Sequence, residues 1–542
     1  MDTLANNIIR TLGPIHNSKA MTALRQGLLY ALPAIILGEI ALLLFQLPFA
    51  PLAKIVMDIG AVPILAQVYT SCFSISSLLV AAGIAHSWAK QSSHEPMPAA
   101  VIAICCLLIL IPSSIPYVDT TGSQIDVAGI DRTWLSAQSL WVAIACGLTT
   151  GALYSALLGA FKAGRKNALV LPHNSTAGLY QDVLYSLAPG TIMVVGCATL
   201  FGFSSLAPGS PSPAELATSW LQAPFEGLGD DLLGIIVFSI SVPALWFFGI
   251  HGNMVAGKGL SMIAASNSAS NAQLFANGTP LTVGNGARIV SEQFMHDISI
   301  TGIGISFGLA LCLVIFARSR RMRTIGIAGL LLSLFNMNEV LLYGTIVLSP
   351  LLIIPFVLMS LLSALVNYAS IAIGLVGIAV AEVPWTMPPV MSGFFTGGIG
   401  LAIVQLLLLI LSLLIYVPFV YAADKQAYLD EHGSLLEYAS PLQRLFAGKT
   451  SATQGTNFGT PAPTPVPAPS PASASAPAPG YGYDQYGRPA QQPPQPAQIA
   501  QQVPPIQPGQ TARVDQAQPT SYGSGNTSGP SQQGQRGGWP RQ

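Results

Sequence analysis

Charge is what this sequence has least of: 8% of its 542 residues are charged, against 51% that are apolar. Soluble domains carry about 25% charged residues, so the scarcity excludes an ordinary cytosolic enzyme and points to a chain solvated by lipid. Neither sign is in excess, with 22 Lys+Arg against 22 Asp+Glu. That balance removes nucleic acid as a general partner, because phosphates need surplus cations to neutralise them. Cysteine is sparse as well. Cys72, Cys105, Cys106, Cys146, Cys197 and Cys312 all lie in apolar runs, with no CxxC pair and no neighbour at ligand spacing. They read as small hydrophobes, and no metal site or cofactor is expected. There is no P-loop, hence no direct coupling to ATP. The first twenty residues, with Arg10, His16 and Lys19, lack the features of a secretory signal, so the N-terminus is expected to be retained.

What the chain has instead is a series of apolar runs long enough to cross roughly 30 Å of hydrocarbon. They begin at Gly27–Leu47 and recur at Gln67–His86, Ala99–Val118, Ser139–Ala160, Ala188–Leu206, Leu232–Ile250, Ile300–Ala317, Leu351–Val376 and Gly400–Tyr421. Lys and Arg beside such runs stay on the cytoplasmic side. Arg10, Lys19 and Arg25, then Lys162, Arg165 and Lys166, then Arg318, Arg320, Arg321 and Arg323 are therefore expected inside. The acidic loops around Asp119 to Asp131 and Glu215 to Asp231 are expected outside. Passing from the second acidic loop to the Arg318 cluster takes an odd number of crossings, and only two runs are obvious between them. One further weakly apolar crossing or broken helix is expected within Met254–Ile289, a Gly-, Ser- and Asn-rich stretch, although an ordinary polar loop would fit too. Irregular backbone at membrane depth is tolerated only where protein or a wet cavity covers it. The count becomes ten spans with both termini cytoplasmic, in an all-α polytopic membrane protein.

A second interruption lies between Thr324 and Pro350, where a short apolar run, the polar Asn336-Met337-Asn338-Glu339 and another short apolar run describe a re-entrant hairpin. The division expected is a membrane domain over 1–435 and a cytoplasmic tail over 436–542. From about Lys449 the tail turns to Pro, Ala, Gln, Gly and Ser, with 18 prolines from Pro461 onward, and is expected to be disordered. A spacer explains it more simply than a docking segment.

Ionisable groups within or beside apolar runs are costly, and so mark function. The candidates are His251, Lys258, Arg288, Glu292, Asp297, Glu339 and Glu382. Glu339 stands out at the tip of the expected hairpin, with Asn336 and Asn338 able to hydrogen-bond nearby. A buried carboxylate there could accept a proton from a substrate hydroxyl or orient it; a purely structural carboxylate is the plainer alternative. His251, in WFFGIHGNM beside Gly252 and Asn253, ends an apolar run and could equally be structural. Trp246, Phe247 and Phe248 fit lipid-interface anchors.

The stretch FNMNEVLLYGTIVLSPLLIIPFVL resembles the signature of enzyme IIC of the lactose/cellobiose/chitobiose group of the bacterial phosphoenolpyruvate-dependent phosphotransferase system. The likeness extends to MTALRQGLLYALPAIILGE, FFGIHGN, PWTMPPVMSGFFTGG and LIYVPFVYAADKQ, in family order over roughly residues 1–432. It implies ten transmembrane helices with two re-entrant hairpins, in the bacterial inner membrane, and a homodimer whose N-terminal halves pack together. It also implies a sugar permease that imports a β-linked disaccharide, coupled to its phosphorylation by a separate IIB protein charged by an upstream IIA. By the resemblance Glu339 binds the reactive hydroxyl and His251 assists phosphoryl transfer, with Asn253, Asn336, Asn338 and Trp385 as further substrate contacts. The chain departs from the pattern at Val340, where a proline is usual, at Tyr343-Gly344 for Phe-Gly, at Ser349-Pro350 for Asn-Pro, and in a missing double glycine within Asp297–Gly304. After His432 there is neither histidine nor cysteine, so the phosphate donor is expected on another polypeptide. The alternatives are a receptor-like protein that keeps the pocket without transfer, and an ion-coupled symporter using Glu339 as proton carrier.

Overall fold

The computed structural model describes residues 18–118, 124–163, 176–435 and 438. They fall within one compact unit, Met1–Gly455; a second unit, Thr456–Gln542, lies outside the described residues, as do the expected Pro-rich tail and the Arg165-Lys166 pair.

The architecture is helical. α1 (Lys19–Phe45) opens at Ser18, whose hydroxyl accepts from the Met21 N–H, and runs 27 residues, about 40 Å at 1.5 Å per residue. α2 (Ala50–Asp58), α3 (Val62–Cys72), α4 (Ser76–Gln91) and α5 (Pro96–Leu110) follow. A two-stranded antiparallel ribbon then appears, β1 (Ser114–Val118) on β2 (Gln124–Ala128). It was not anticipated, because β1 sits at the end of an apolar stretch that reads as one span. α6 (Leu140–Ala163), α7 (Thr176–Ser204), α8 (Pro213–Gln222) and α9 (Leu232–Phe247) complete the first half. The second half comprises α10 (Gly252–Ala256), α11 (Lys258–Ala276), α12 (Glu292–Asp297), α13 (Ser306–Phe316), α14 (Arg320–Leu334), α15 (Glu339–Leu341), α16 (Ile353–Ala372) and α17 (Met391–His432). α17 is broken at Gly398, whose φ of 67° and ψ of −159° only glycine adopts readily.

Six helices among the described residues are long and apolar enough to cross a membrane: Lys19–Phe45, Val62–Gln91, Ala137–Ala163, Ala177–Ser204, Ile353–Ala372 and Met391–His432. Three shorter apolar helices, Pro96–Leu110, Leu232–Phe247 and Ser306–Phe316, coincide with further runs read from the sequence. The stretch expected to hold an extra crossing contains α11, 19 residues rich in Ser and Asn. Over the stretch read as a hairpin the chain forms α14, a turn at 335–338 and the short α15.

Large apolar side chains such as Leu37, Phe203 and Leu407 face outward, which suits a lipid-covered surface. Between helices, small residues set the spacing: α1 and α4 cross so closely that a Cβ on Gly83 would stand 2.8 Å from the Gly27 carbonyl oxygen. That is the packing expected where lipid removes the hydrophobic drive and dispersion must hold helices together. One continuous core links α1 and α4 to α9, α13, α16 and α17. A smaller cluster sets Met337 and Val340, at the α14–α15 turn, against Leu42 and Leu43 near the end of α1.

Candidate functional site

The site forms where regular structure fails. Beyond α9 the chain turns at Gly249 (φ 75°) and presents His251 as the residue before α10. Beyond α14 it turns at Asn336 (φ 67°) and presents Asn338 and Glu339. A π-helical turn, Leu342–Ile346, follows α15 and buries Tyr343; such turns are rare and often functional. Leu348, also left-handed at φ 56°, donates its N–H to the Phe247 carbonyl at 2.9 Å and so ties the Glu339 segment to the end of α9. Thr301, Ile305 and Val390 share the same backbone region, a strained one for β-branched residues. Strain of this kind persists only where the surroundings hold it.

The Glu339 Oε2 accepts from the Asn338 N–H at 3.0 Å, and the Asn338 amide donates to the Ile303 carbonyl at 3.2 Å. His251 packs on Trp246 with ring centroids 4.8 Å apart; Trp246 in turn lies 5.9 Å from Tyr343. Several buried polar atoms here have no hydrogen-bond partner in the protein: His251 Nδ1, Asn253 Oδ1, Trp246 Nε1 and both carboxylate oxygens of Glu39. Buried polar groups are almost always paired, so such a gathering marks a place built for a polar ligand.

Glu39 was overlooked in the sequence. It is the single acid within α1, and the rule that intramembrane charges mark function would have found it. Gln46, Gln293, His296 and Gln405 were missed as well, being uncharged or lying in an irregular stretch.

A second polar knot adjoins the first. Asn336 Oδ1 accepts from the Thr301 N–H, and its amide nitrogen donates to the Trp385 carbonyl and, at 3.4 Å, to that of Met387. Gln293 Nε2 lies 3.1 Å from His296 Nδ1 and donates to Asp297 at 2.9 Å, while His296 Nε2 lies 3.2 Å from the Trp385 carbonyl and 3.1 Å from the Asn336 amide nitrogen. Gln405 also donates to Asp297, at 3.3 Å, and accepts from the Val390 N–H at 2.7 Å. The Asn336 amide is thus committed to the protein, and the Trp385 indole, half exposed, donates to Gln46 at 2.8 Å. Glu292 lies near Glu382 at the rim; burial and that like charge push its carboxyl above the usual range. Arg288 pairs with Asp230 at 3.9 Å, and Lys258 is exposed at the start of α11, so neither joins the cluster.

Two departures from the expected pattern acquire a reason. Val340 is buried against Leu42, Leu43, Leu332 and Met337, so it serves as packing where a proline would fix φ. In place of a double glycine, Gly302 and Gly304 both adopt positive φ, and a Cβ at Gly302 would run into the Asn338 amide.

A cavity of about 940 Å³ adjoins the cluster. It shares Tyr343 with it and is lined also by Gly344, Pro350, Arg25, Arg320 and Arg321. Among the described residues no group of three or more His, Cys, Asp or Glu is gathered as a metal site.

Residues 25–360 match the family described as Phosphotransferase system, EIIC. Over 441 residues the chain is 29% identical to the putative permease IIC component YwbA of Bacillus subtilis, covering 79% of this chain and 96% of that one. It is 27% identical over 451 residues to the cellobiose-specific EIIC component of Geobacillus stearothermophilus, with 79% and 95% covered. Over 448 residues it is 27% identical to the lichenan permease IIC component of Bacillus subtilis, with 79% and 94% covered. Among solved structures it is similar to the transporter ChbC, the IIC component of an N,N'-diacetylchitobiose-specific system, at 26% identity and a TM-score of 0.44, covering 80% of this chain and 100% of that one.

Proposed function

Since the chain belongs to the EIIC family of the phosphotransferase system, whose members are sugar permeases, we propose that it imports a β-linked disaccharide and presents one hydroxyl for phosphorylation by a separate IIB protein. The observation that carries this reading is the set of unpartnered buried polar atoms on His251, Asn253, Trp246 and Glu39, with His251 packed on Trp246 and Trp246 beside Tyr343 in the segment that follows Glu339. A sugar is dense in hydroxyls that donate and accept, and its apolar ring faces suit Trp246. Relatives named for cellobiose and lichenan support the β-linked class.

The chemistry assigned is a single displacement. The sugar oxygen forms a bond to phosphorus as the phosphorus–sulfur bond of a IIB phosphocysteine breaks, the bonding pair leaves with the thiolate, and the hydroxyl proton passes to the Glu339 carboxylate. His251 then acts on the phosphoryl oxygens. The cavity lined by Arg25, Arg320 and Arg321 supports an approach for the phosphorylated partner from the basic side, which the positive-inside rule makes cytoplasmic. On this reading Asn338 sets the Glu339 carboxyl, Trp385 lies at the rim, and Asn336 holds the tip without touching sugar.

Ten crossings with two re-entrant hairpins, both termini cytoplasmic and an inner-membrane location are part of the same proposal. So is a homodimer through the N-terminal halves, which the absence of buried residues in α2 and α3 supports. The tail over 436–542 is assigned as a spacer.

The test is uptake of radiolabelled cellobiose, lichenan-derived disaccharide and lactose by cells expressing the chain with IIA and IIB proteins, followed by chromatography of the internal sugar. Phosphorylated sugar is the expected result, and unmodified sugar alone would overturn the reading. In the same assay His251→Gln should lower turnover about tenfold or more while shifting half-saturation less than about threefold, the pattern of a group acting on the phosphoryl rather than on binding.

A further inference from the structure

Asp297 is a buried acid that the chemistry above leaves unused. It closes α12, is 2% exposed, and holds two carboxamides on a single oxygen: its Oδ1 accepts from Gln293 Nε2 at 2.9 Å and from Gln405 Nε2 at 3.3 Å. Both glutamines are buried as well, Gln293 one turn back on α12 and Gln405 beyond the Gly398 break in α17.

The far ends of the two amides grip one segment. Gln293 Oε1 accepts from the Val383 N–H at 3.2 Å. Gln405 Oε1 accepts from the Val390 and Gly393 N–H groups at 2.7 and 3.1 Å, and from the Ser392 hydroxyl at 3.1 Å. A backbone N–H only donates, so these contacts turn each carbonyl oxygen toward the segment and each amide nitrogen inward, where Asp297 is the acceptor they share. The close approach needs glycine, since a Cβ on Gly393 would stand 2.8 Å from Gln405 Oε1. Val390 sits at φ 67°, a backbone cost that persists only where neighbours hold it. Between the two grips the segment meets the site. The Trp385 indole donates to Gln46 at 2.8 Å, the Thr386 hydroxyl donates to the Gln46 carbonyl at 2.7 Å, and the Trp385 and Met387 carbonyls receive the Asn336 amide.

We propose that Asp297 is a positioning residue of the sugar site: through Gln293 and Gln405 it fixes residues 383–393, and so sets where Trp385 closes the rim beside the Asn336–Glu339 turn. The assignment rests on the reading in which Trp385 borders bound sugar. Without an acceptor at 297, two buried amide nitrogens lose their shared partner and both side chains are released to rotate. A rim residue is held in place only when the side chains behind it are themselves locked.

Hydrogen exchange read by mass spectrometry on the purified full chain tests the grip without sugar. Asp297→Leu, which offers no acceptor, should speed exchange in peptides spanning 383–393 about tenfold or more while the other helices exchange as in wild type. Asp297→Asn, whose carbonyl oxygen can accept from both glutamines, should stay within about threefold of wild type. Exchange that is unchanged in Asp297→Leu, or raised equally along the whole chain, overturns the proposal. Calorimetry with cellobiose tests the consequence: folded Asp297→Leu should bind about tenfold more weakly, and Asp297→Asn within about threefold of wild type. A residue that only stabilised the fold would lower the melting temperature and leave the affinity of the folded fraction unchanged, and that result would overturn the positioning role. Should Asp297→Leu fail to fold, as judged by gel filtration, Gln293→Leu removes one grip alone. It should speed exchange around Val383 and spare Val390, and no rise around Val383 overturns the proposal. Because exchange uses no sugar, failure of the permease reading shows separately, as wild-type protein that does not bind cellobiose while residues 383–393 still respond to Asp297→Leu.

Discussion

Glu339→Gln is expected to abolish sugar phosphorylation while leaving cellobiose affinity within about threefold of wild type. The amide keeps the shape of the carboxylate and still accepts the Asn338 N–H through its carbonyl oxygen, so the Asn336–Glu339 turn should stand. What it loses is a base for the hydroxyl proton, and general-base removal costs about two to four orders of magnitude in rate. Phosphosugar formation in membranes supplied with charged IIB is the measurement. Normal turnover by this variant would remove Glu339 from the chemistry and leave it a structural carboxylate of the hairpin.

Asn336→Leu should be nearly as damaging for a different reason. The wild-type amide satisfies the Thr301 N–H and the carbonyls of Trp385 and Met387, and its residue sits at φ 67°, where Asn costs less than Leu. Leucine strands the part-buried Thr301 N–H and Met387 carbonyl at about 1–3 kcal/mol each and adds about 1–2 kcal/mol of backbone cost. The expected outcome is loss of transport together with a lowered melting temperature of the purified protein, whereas Glu339→Gln should melt as wild type does. If Asn336→Leu kept its melting temperature and lost only sugar affinity, Asn336 would be a substrate contact instead of a strut.

The contrast between these two residues shows what kind of information a sequence carries. Glu339 was legible because a carboxylate between two apolar half-spans is costly wherever it ends up, and that cost is visible without knowing its neighbours. Asn336 was visible as a polar residue at the same tip, but its task was not. Its partners lie 35, 49 and 51 residues away, and no local pattern discloses them. Glu39 shows the converse failure. The same cost rule applied to it, yet a lone acid inside a long apolar helix was read through as part of a span. The β1–β2 ribbon was missed because a strand that continues an apolar run has the same composition as the end of a helix.

By itself the sequence determined that this is a helical membrane protein, where its apolar helices lie, and that residues 335–339 interrupt them. Those properties are sums over neighbouring residues: hydropathy accumulates along the chain, and a polar tip between apolar runs is a local fact. Only the tertiary structure decided which polar groups meet. Thr301 and Trp385 came to Asn336 across 35 and 49 positions of sequence, and Trp246, packed on His251, to Tyr343 across the gap between α9 and the π-helical turn. Such pairings arise because a buried polar group must find its partner in space, and close packing of α1, α9 and the α14–α15 turn leaves it few places to look.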